Sequence, residues 1–264
     1  MNFSIIIINY QTPEITRNCL NSIFAFCDIK DFEIILIDNA SQDNSLDILK
    51  KEFGERIKII ENQENKGFAK ANNQGAKIAQ GKYLFFLNSD TLLKENILVS
   101  LLNILENDKL IGILTPRLLN KDGAQQEKAY GKYPKIIDLI FEKIWPPKKN
   151  PEGEDLFEVD WLSGAALIIR KDLFENIGAW NENFFMYFED IDLARRVKKQ
   201  KYKIMVAPFI KLTHLSGQSL KQNSQRRAYY YASQNYYFKK QHGLLSLLIL
   251  KIIRFPYKLV RLRK

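Results

Sequence analysis

The stretch "YLFFLNSDT" (83–91) runs five apolar or aromatic side chains straight into an amide, a hydroxyl and a carboxylate: Asn88, Ser89 and Asp90. A strand that is apolar throughout is buried on both faces, and in an open α/β sheet ligands bind just beyond the carboxyl ends of such strands. Asp90 is therefore either a cap for a following helix, expected over Leu92 to Glu106, or a group that handles a ligand. A second stretch, "NENFFMYFEDIDLARR" (181–196), sets Glu189, Asp190 and Asp192 within four residues, beside Phe184, Phe185, Met186, Tyr187 and Phe188. Acids at a helix start favour its dipole, which is the bland account of all three. A carboxylate among so many aromatics is also where a raised pKa and general-base work arise. The third, "THLSGQS" (213–219), carries His214, one of two histidines in the chain. Combined with a carboxylate such as Asp90, it suits a Mg2+ or Mn2+ that also binds phosphate oxygens. No Cys-x-x-Cys or His-x3-His spacing supports zinc.

These groups need a scaffold, and the first half of the chain supplies one. "FSIIIINY" (3–10) and "FEIILIDN" (32–39) read as strands, "IKII" (57–60) as a third, and the stretch around Phe85 as a fourth. Between them lie helix signals. Thr12 and Pro13 offer an N-cap and an N1 proline, Ser45 a second cap, and a third helix is expected from about Phe68 to Ala79. Strands alternating with helices argue for a parallel sheet. Its strand ends would gather Asn9-Tyr10, Asp38-Asn39, Asn62 to Asn65 and Asn88-Ser89-Asp90 at one edge.

Nucleotide motifs of the GxGxxG and GxxxxGK[ST] kinds are absent, so a dinucleotide or P-loop enzyme is not expected. "ENKGFAKANNQG" (64–75) offers instead a turn at Gly67 before a helix, whose free N–H groups could hold phosphate. Beyond residue 110 the pattern is less regular: a short strand "IGILTP" (111–116), a Pro- and charge-rich loop "WPPKKNPEGED" (145–155), a strand "VDWLSGAALIIR" (159–170) and a short helix near Asp172.

With 264 residues and 46% apolar content the chain can bury a full core. Cys19 and Cys27, set eight apart on one expected helix, form no local disulfide and fit a reducing compartment. No secretory leader or membrane-spanning run is expected, and the expected location is cytoplasmic. The net charge of +10 is unevenly placed. Residues 1–192 hold 22 basic against 30 acidic groups (net −8), whereas residues 193–264 hold 18 basic groups and no carboxylate. A split this sharp calls for an anionic surface facing the C-terminal part.

The motifs "SIIIINYQTPE", "ILIDNASQDNS", "ENKGFAKANNQG", "FLNSDT", "WLSGAALIIRKDLFENIGAWNENFFMYFEDIDLARR" and "HLSGQS", in this order, resemble the family 2 glycosyltransferases of the GT-A fold, particularly the bacterial rhamnosyltransferase-like branch. The resemblance covers residues 3–220 and implies a GT-A domain over 1–220, a Rossmann-like, mostly parallel sheet flanked by helices. Residues 221–264 would form a basic helical extension. The implied reaction moves a sugar, rhamnose being one candidate, from a dTDP- or UDP-sugar to a hydroxyl of a glycan or lipid-linked acceptor, with inversion, in cell-surface polysaccharide synthesis.

By the same resemblance Tyr10 stacks on the nucleotide base, Asp38 hydrogen-bonds base or ribose, and Gly67 and Asn72 line the nucleotide pocket. Asn88-Ser89-Asp90 takes the place of the family's DxD motif, Asp190 is the general base, and Glu189 and Trp161 lie on the acceptor side. Asp90 and His214 would hold the metal, Mg2+ or Mn2+. One departure stands out: the motif's first carboxylate is Asn88, so the site has one negative charge fewer.

The tail extends the reading. Leu245, Leu248, Ile249, Ile252, Phe255, Leu259 and Leu262 recur at helical spacing, with Lys251, Arg254, Lys258 and Arg261 on another face and a kink expected at Pro256. Such a segment either packs on the domain or lies in an anionic membrane interface, which would make the protein peripheral at the cytoplasmic face of the cell membrane. Two rival classes remain: a catalytically inactive nucleotide-sugar-binding scaffold, against which Asp90 and Asp190 speak, and a nucleic-acid-binding protein. No RNP-like, zinc-finger or helix-turn-helix signature supports nucleic acid as a partner.

Overall fold

Unbroken runs of Ile, Leu and Phe become the centre of one nine-stranded sheet. The computed structural model describes residues 2–27, 32–136, 155–216 and 223–261. Strands β1 (Phe3–Asn9), β2 (Phe32–Asp38), β3 (Lys58–Glu61) and β4 (Tyr83–Asn88) run parallel in the order β3-β2-β1-β4. Ile5, Ile6 and Ile7 are all buried, as are Ile34 to Ile37 and Leu84 to Leu87, so these strands are covered on both faces. Register pairs Asn9 with Asp38, Asp38 with Glu61 and Ile8 with Asn88, which brings the carboxyl ends to one line within a single residue.

The other half of the sheet is mixed. In chain order its strands are β5 (Thr91–Leu92), β6 (Ile111–Leu119), β8 (Phe157–Glu158), β10 (Ala166–Arg170) and β11 (Lys203–His214). Strand β10 runs antiparallel between β4 and β6, β11 runs parallel to β6, and β5 and β8 pair antiparallel with β11. A small ribbon joins β7 (Tyr130–Gly131) to β9 (Trp161–Leu162). The expected strand over 159–170 is thus two strands in different sheets, joined by residues 163–165.

Seven helices complete the described chain: α1 (Pro13–Phe26), α2 (Ser45–Phe53), α3 (Gly67–Ile78), α4 (Ile97–Asn107), α5 (Lys171–Asn176), α6 (Glu189–Lys199) and α7 (Asn223–Arg261). Three expected caps work differently. Thr12 stands at the cap position of α1 but sends its hydroxyl to Asn9 Oδ1 (3.4 Å). Asn44, not Ser45, precedes α2. Neither Asp90 nor Thr91 caps a helix, because α4 starts five residues later than expected, at Ile97, and Thr91-Leu92 pairs with β11 instead. The capping account of Asp90 therefore falls.

Helix α7 breaks at Gly243 (φ 78°, ψ −177°) and continues through Pro256, where the kink was expected. A left-handed φ is open to glycine at no steric cost, so the break sits there. Tyr237, Phe238 and Leu250 of α7 form a second apolar cluster with Phe184, Phe188 and Ile191. Most of the Pro-rich stretch 145–155 lies outside the described residues, as do residues 217–219 of "THLSGQS".

Helix α3 approaches the sheet closely because its inner face is small: Ala69, Ala71, Gly75 and Ala76 are buried. A Cβ on Gly75 would lie 2.7 Å from Ile6 Cγ2 and 3.0 Å from Ile37 Cδ1. Gly75→Leu should therefore cost about 1–3 kcal/mol through overpacking. Urea denaturation measures it, and an unchanged midpoint would show that α3 is not seated on β1 and β2 as described.

Candidate active site

At the ends of β1 and β2, the buried Asn9 amide donates to Asp38 Oδ1 (2.7 Å) and to Ser41 Oγ (3.0 Å), while its Oδ1 accepts from the Thr16 hydroxyl (2.7 Å). The Ser41 N–H holds the other Asp38 oxygen at 3.0 Å. Both oxygens of Asp38 are thus fixed in place by hydrogen bonds. Half-buried Tyr10 follows directly on β1.

Next to it runs a lattice of amides. Asn39 Oδ1 accepts from Asn62 Nδ2 (3.0 Å) and from the Lys66 N–H (3.0 Å), and Asn65 Oδ1 accepts from the Gly67 N–H (2.9 Å). The Phe68 N–H donates to Phe185 O at 2.7 Å. The N–H groups of Lys66, Gly67 and Phe68 are therefore committed within the protein, so these three are not open donors for a phosphate. Gly67 is required for another reason: its φ is +75°, and a Cβ would lie 2.4 Å from Phe185 O. Asn72 is buried on α3 with its Nδ2 unpaired, a donor that a ligand could satisfy.

At the end of β4, the antiparallel β5–β11 pairing sets His214 opposite Thr91, and the Leu215 N–H bonds to Asp90 O (2.8 Å). The pairing brings His214 Nε2 to 3.1 Å from Asp90 Oδ1 and 3.4 Å from Asn88 Nδ2. Gln126 decides the tautomer. Its amide nitrogen donates to His214 O (2.8 Å) and Ser216 Oγ (2.7 Å), so its Oε1 must accept from His214 Nδ1–H (2.9 Å). In the neutral ring Nε2 then presents a lone pair to an acceptor-only carboxylate oxygen, an arrangement that a cation between them relieves. Asp90 and His214 thus fit a hard divalent ion as two protein ligands. Among the described residues no cluster of three His, Cys, Asp or Glu surrounds a common point, so other positions would be filled from outside this pair.

The acidic stretch starts α6. Asp190, half-buried, accepts from the Ile191 N–H (2.8 Å) and the Gly164 N–H (3.4 Å), while Ala165 O accepts from the Asn88 N–H (2.9 Å). Loop 163–165 therefore carries Asp190 to the edge where Asn88 and Asp90 lie. Burial pushes the Asp190 carboxyl up to about 6. Burial, and then the Asp190 charge, hold Glu189 well above the usual carboxylate range, and its Oε2 has no partner. Burial thus raises both carboxyls, and Asp190, at about 6, is able to lose its proton near neutral pH and accept another. Trp161 packs partly buried near Tyr133, with its indole N–H donating to Lys132 O (2.9 Å).

Asp190 is aimed by the chain just before it. Tyr187 (φ 72°) and Phe188 (φ 68°) are consecutive left-handed residues, each costing about 1–2 kcal/mol. Helix α7 holds this strap from one side. Ser233 Oγ donates to Met186 O (2.7 Å), and ring pairs join Phe185 to Tyr229 (4.2 Å), Phe184 to Tyr236 (4.8 Å) and Phe188 to Tyr237 (5.3 Å). Asp192, fully buried, is neutralised by Arg196 (3.0 Å) and by Lys240 of α7 (2.6 Å). Gln126, Ser41, Gly164 and Ser233 all serve site residues yet stand in irregular or unpatterned stretches, where no sequence period marks them.

A family model described as glycosyl transferase family 2 matches residues 4–178. Among curated relatives, the low-salt glycan biosynthesis hexosyltransferase Agl10 of Haloferax volcanii is 27% identical over 77% of this chain and 64% of its own length. The O-antigen biosynthesis protein RfbC of Myxococcus xanthus is 24% identical over 87% of this chain and 18% of its own. The poly-beta-1,6-N-acetyl-D-glucosamine synthase of Staphylococcus aureus is 27% identical over 75% and 46%. The chain thus spans less than two thirds of each relative. Among solved structures, GalNAc-T7 with UDP, GalNAc and Mn2+ superposes with a TM-score of 0.65 at 15% identity, over 97% of this chain and 55% of the other. The mannosyltransferase PcManGT of Pyrobaculum calidifontis, in complex with GDP-Man and Mn2+, gives 0.65 at 15% identity, over 96% and 70%. These likenesses show the fold, which is GT-A.

The geometry around Gly67 makes a testable distinction. Gly67→Ala should destabilise the protein by about 1–3 kcal/mol, since the strained φ and the contact with Phe185 O both oppose a methyl group. Thermal denaturation without any ligand reads it. An unchanged midpoint would mean that Gly67 serves only a ligand and does not seat the strap.

Proposed function

This chain belongs to glycosyl transferase family 2, and from that premise we propose that it moves a sugar, with inversion, from a nucleoside diphosphate to an acceptor hydroxyl. The observation that carries the reading is the meeting of Asp38, the Asp90–His214 pair and Asp190 at one sheet edge, each held by a different element. The solved neighbours with UDP or GDP-Man and Mn2+ support a nucleotide donor and a divalent ion. The relatives named for glycan, O-antigen and polysaccharide synthesis support a glycan or lipid-linked acceptor.

In this mechanism Tyr10 stacks on the base, Asp38 takes a base or ribose hydrogen, and Asn72 Nδ2 and Ser89 complete the donor pocket. Gly67 acts there indirectly, by seating the strap against α3. Asp90 and His214 would hold Mg2+ or Mn2+, which when bound supplies Lewis-acid stabilisation to the leaving diphosphate. Asn88, an amide, orients His214 and leaves the site one charge less negative. As the acceptor oxygen attacks the anomeric carbon, its proton passes to Asp190, and the bond to the diphosphate breaks with its electron pair on the leaving oxygen. Glu189 and Trp161 face the acceptor. A dTDP- or UDP-sugar, rhamnose among the candidates, suits the family branch that the motifs resemble. The basic C-terminal part suits work at the cytoplasmic face of a membrane, where lipid-linked acceptors are met.

Two outcomes test the reading. Asp190→Asn should lower turnover about 10²–10⁴-fold while leaving donor affinity, measured by calorimetry, within a few-fold. In the unaltered protein the rate should rise with pH through about 6, since the base must first lose its proton. A rate independent of pH across that range would remove Asp190 from the role. Folding responds with the opposite sign. A carboxyl whose folded pKa is raised stabilises the fold below its unfolded value and loses that contribution as pH rises through about 6.

The second outcome concerns the ion. Turnover should require added Mg2+ or Mn2+, Asp90→Ala should abolish it, and His214→Ala should shift the metal titration to higher concentration. Full turnover in excess EDTA would refute the metal role.

A further inference from the structure

Beyond Gly243, α7 turns large aliphatic side chains outward: Leu244 is 65% exposed, Leu245 69%, Leu248 55%, Ile249 37% and Ile252 72%. Their spacing places all five on one stripe of the helix. The rotation of the helix is fixed from its other side. Leu250 is buried in the second cluster, Ser246 Oγ donates to Phe238 O (2.8 Å), and Arg254 Nη1 donates to Asn235 Oδ1 (2.7 Å). The stripe therefore cannot roll inward without breaking these contacts. Five neighbouring aliphatics held toward water mark an interaction surface, since scattered exposure would need no account.

Charge narrows the occupant. No carboxylate follows Asp192, and exposed Lys239 and Lys251 lie on the same helix as the stripe. A second copy of the chain, docked stripe to stripe, would set these like charges against each other with no acid to relieve them. A surface that is both apolar in depth and anionic at its face satisfies both features. Among the described residues no helix is long and apolar enough to cross a membrane, so the contact would lie in the plane of the interface. We propose that the stripe Leu244, Leu245, Leu248, Ile249 and Ile252 docks α7 in the headgroup layer of an anionic lipid bilayer. It rests on the transferase reading only for its purpose, to hold the site beside a lipid-linked acceptor; the docking itself is read without turnover.

The test is co-sedimentation of the full chain with phosphatidylglycerol-containing vesicles and with pure phosphatidylcholine vesicles, at low and high salt. The unaltered protein should pellet with the anionic vesicles at low salt and be released at high salt. The triple variant L245E/L248E/I252E, whose sites are exposed and whose fold is checked by circular dichroism, should lose binding by about tenfold or more. Equal binding of variant and unaltered chain, or equal binding to both vesicle types, overturns the proposal. So does no binding at all. In that case a dimer abolished by the triple variant assigns the stripe to a second copy. Transfer to a water-soluble acceptor separates this from the reaction: it should be unchanged in the triple variant, and its absence in the unaltered chain would count against the transferase reading alone.

Discussion

Strands β1, β2 and β4 are covered on both faces, and everything else in the site follows from that constraint. A polar side chain along such a strand would be buried without water, so chemistry is excluded from the strand bodies and begins where they stop. Parallel pairing in matched register then makes the three stopping points neighbours. Asn9, Asp38 and Asn88-Ser89-Asp90 are far apart in sequence and adjacent in space for no reason but register. A one-residue slip of β4 against β1 would turn its apolar set over and carry Asp90 away from the edge.

The same edge needs two groups that β1, β2 and β4 do not supply. His214 arrives on β11 through two residues of antiparallel pairing with β5, and Asp190 arrives on α6 through the loop at Gly164. Both arrivals are secured by partners that do no chemistry. Gln126 fixes the tautomer of one, and the strap 184–188, clamped between α3 and α7, fixes the direction of the other. Two left-handed residues in succession would not persist on their own energy. They persist because Ser233, Phe185 O and four aromatic rings over-determine them. This makes α7 more than an appendage: its first half bears on the aim of Asp190 and its second half carries the exposed stripe.

What was legible in the sequence divides along these lines. The parallel half of the sheet, its polar edge and the placing of Asp90 beside His214 were readable because unbroken apolar runs and motif order are local signals. What Gly67 does for the strap was not legible, because a glycine before a helix looks the same whether its N–H groups are free or committed; only the distant Phe185 carbonyl decides. The helix expected from Leu92 begins at Ile97 because pairing with β11, a contact 121 residues away in sequence by the Leu92–Thr213 register, outweighs local propensity. The helical run breaks at Gly243, where a left-handed φ, open to glycine, ends it outright.

The charges at the edge close the argument. The proposed donor, a nucleoside diphosphate, is an anion, and four free carboxylates at this edge would repel it. Each is dealt with differently. Asp38 is held in hydrogen bonds from Asn9 and Ser41, and Asp90 faces His214. Burial and the neighbouring Asp190 charge hold the Glu189 carboxyl well above the usual carboxylate range, and burial pushes Asp190 up to about 6. Asn88 removes a fifth charge where the motif it resembles has one. In the proposed reaction the carboxyl lifted to about 6 is the one that must accept a proton, so the burial that lessens negative charge at the edge also tunes the base.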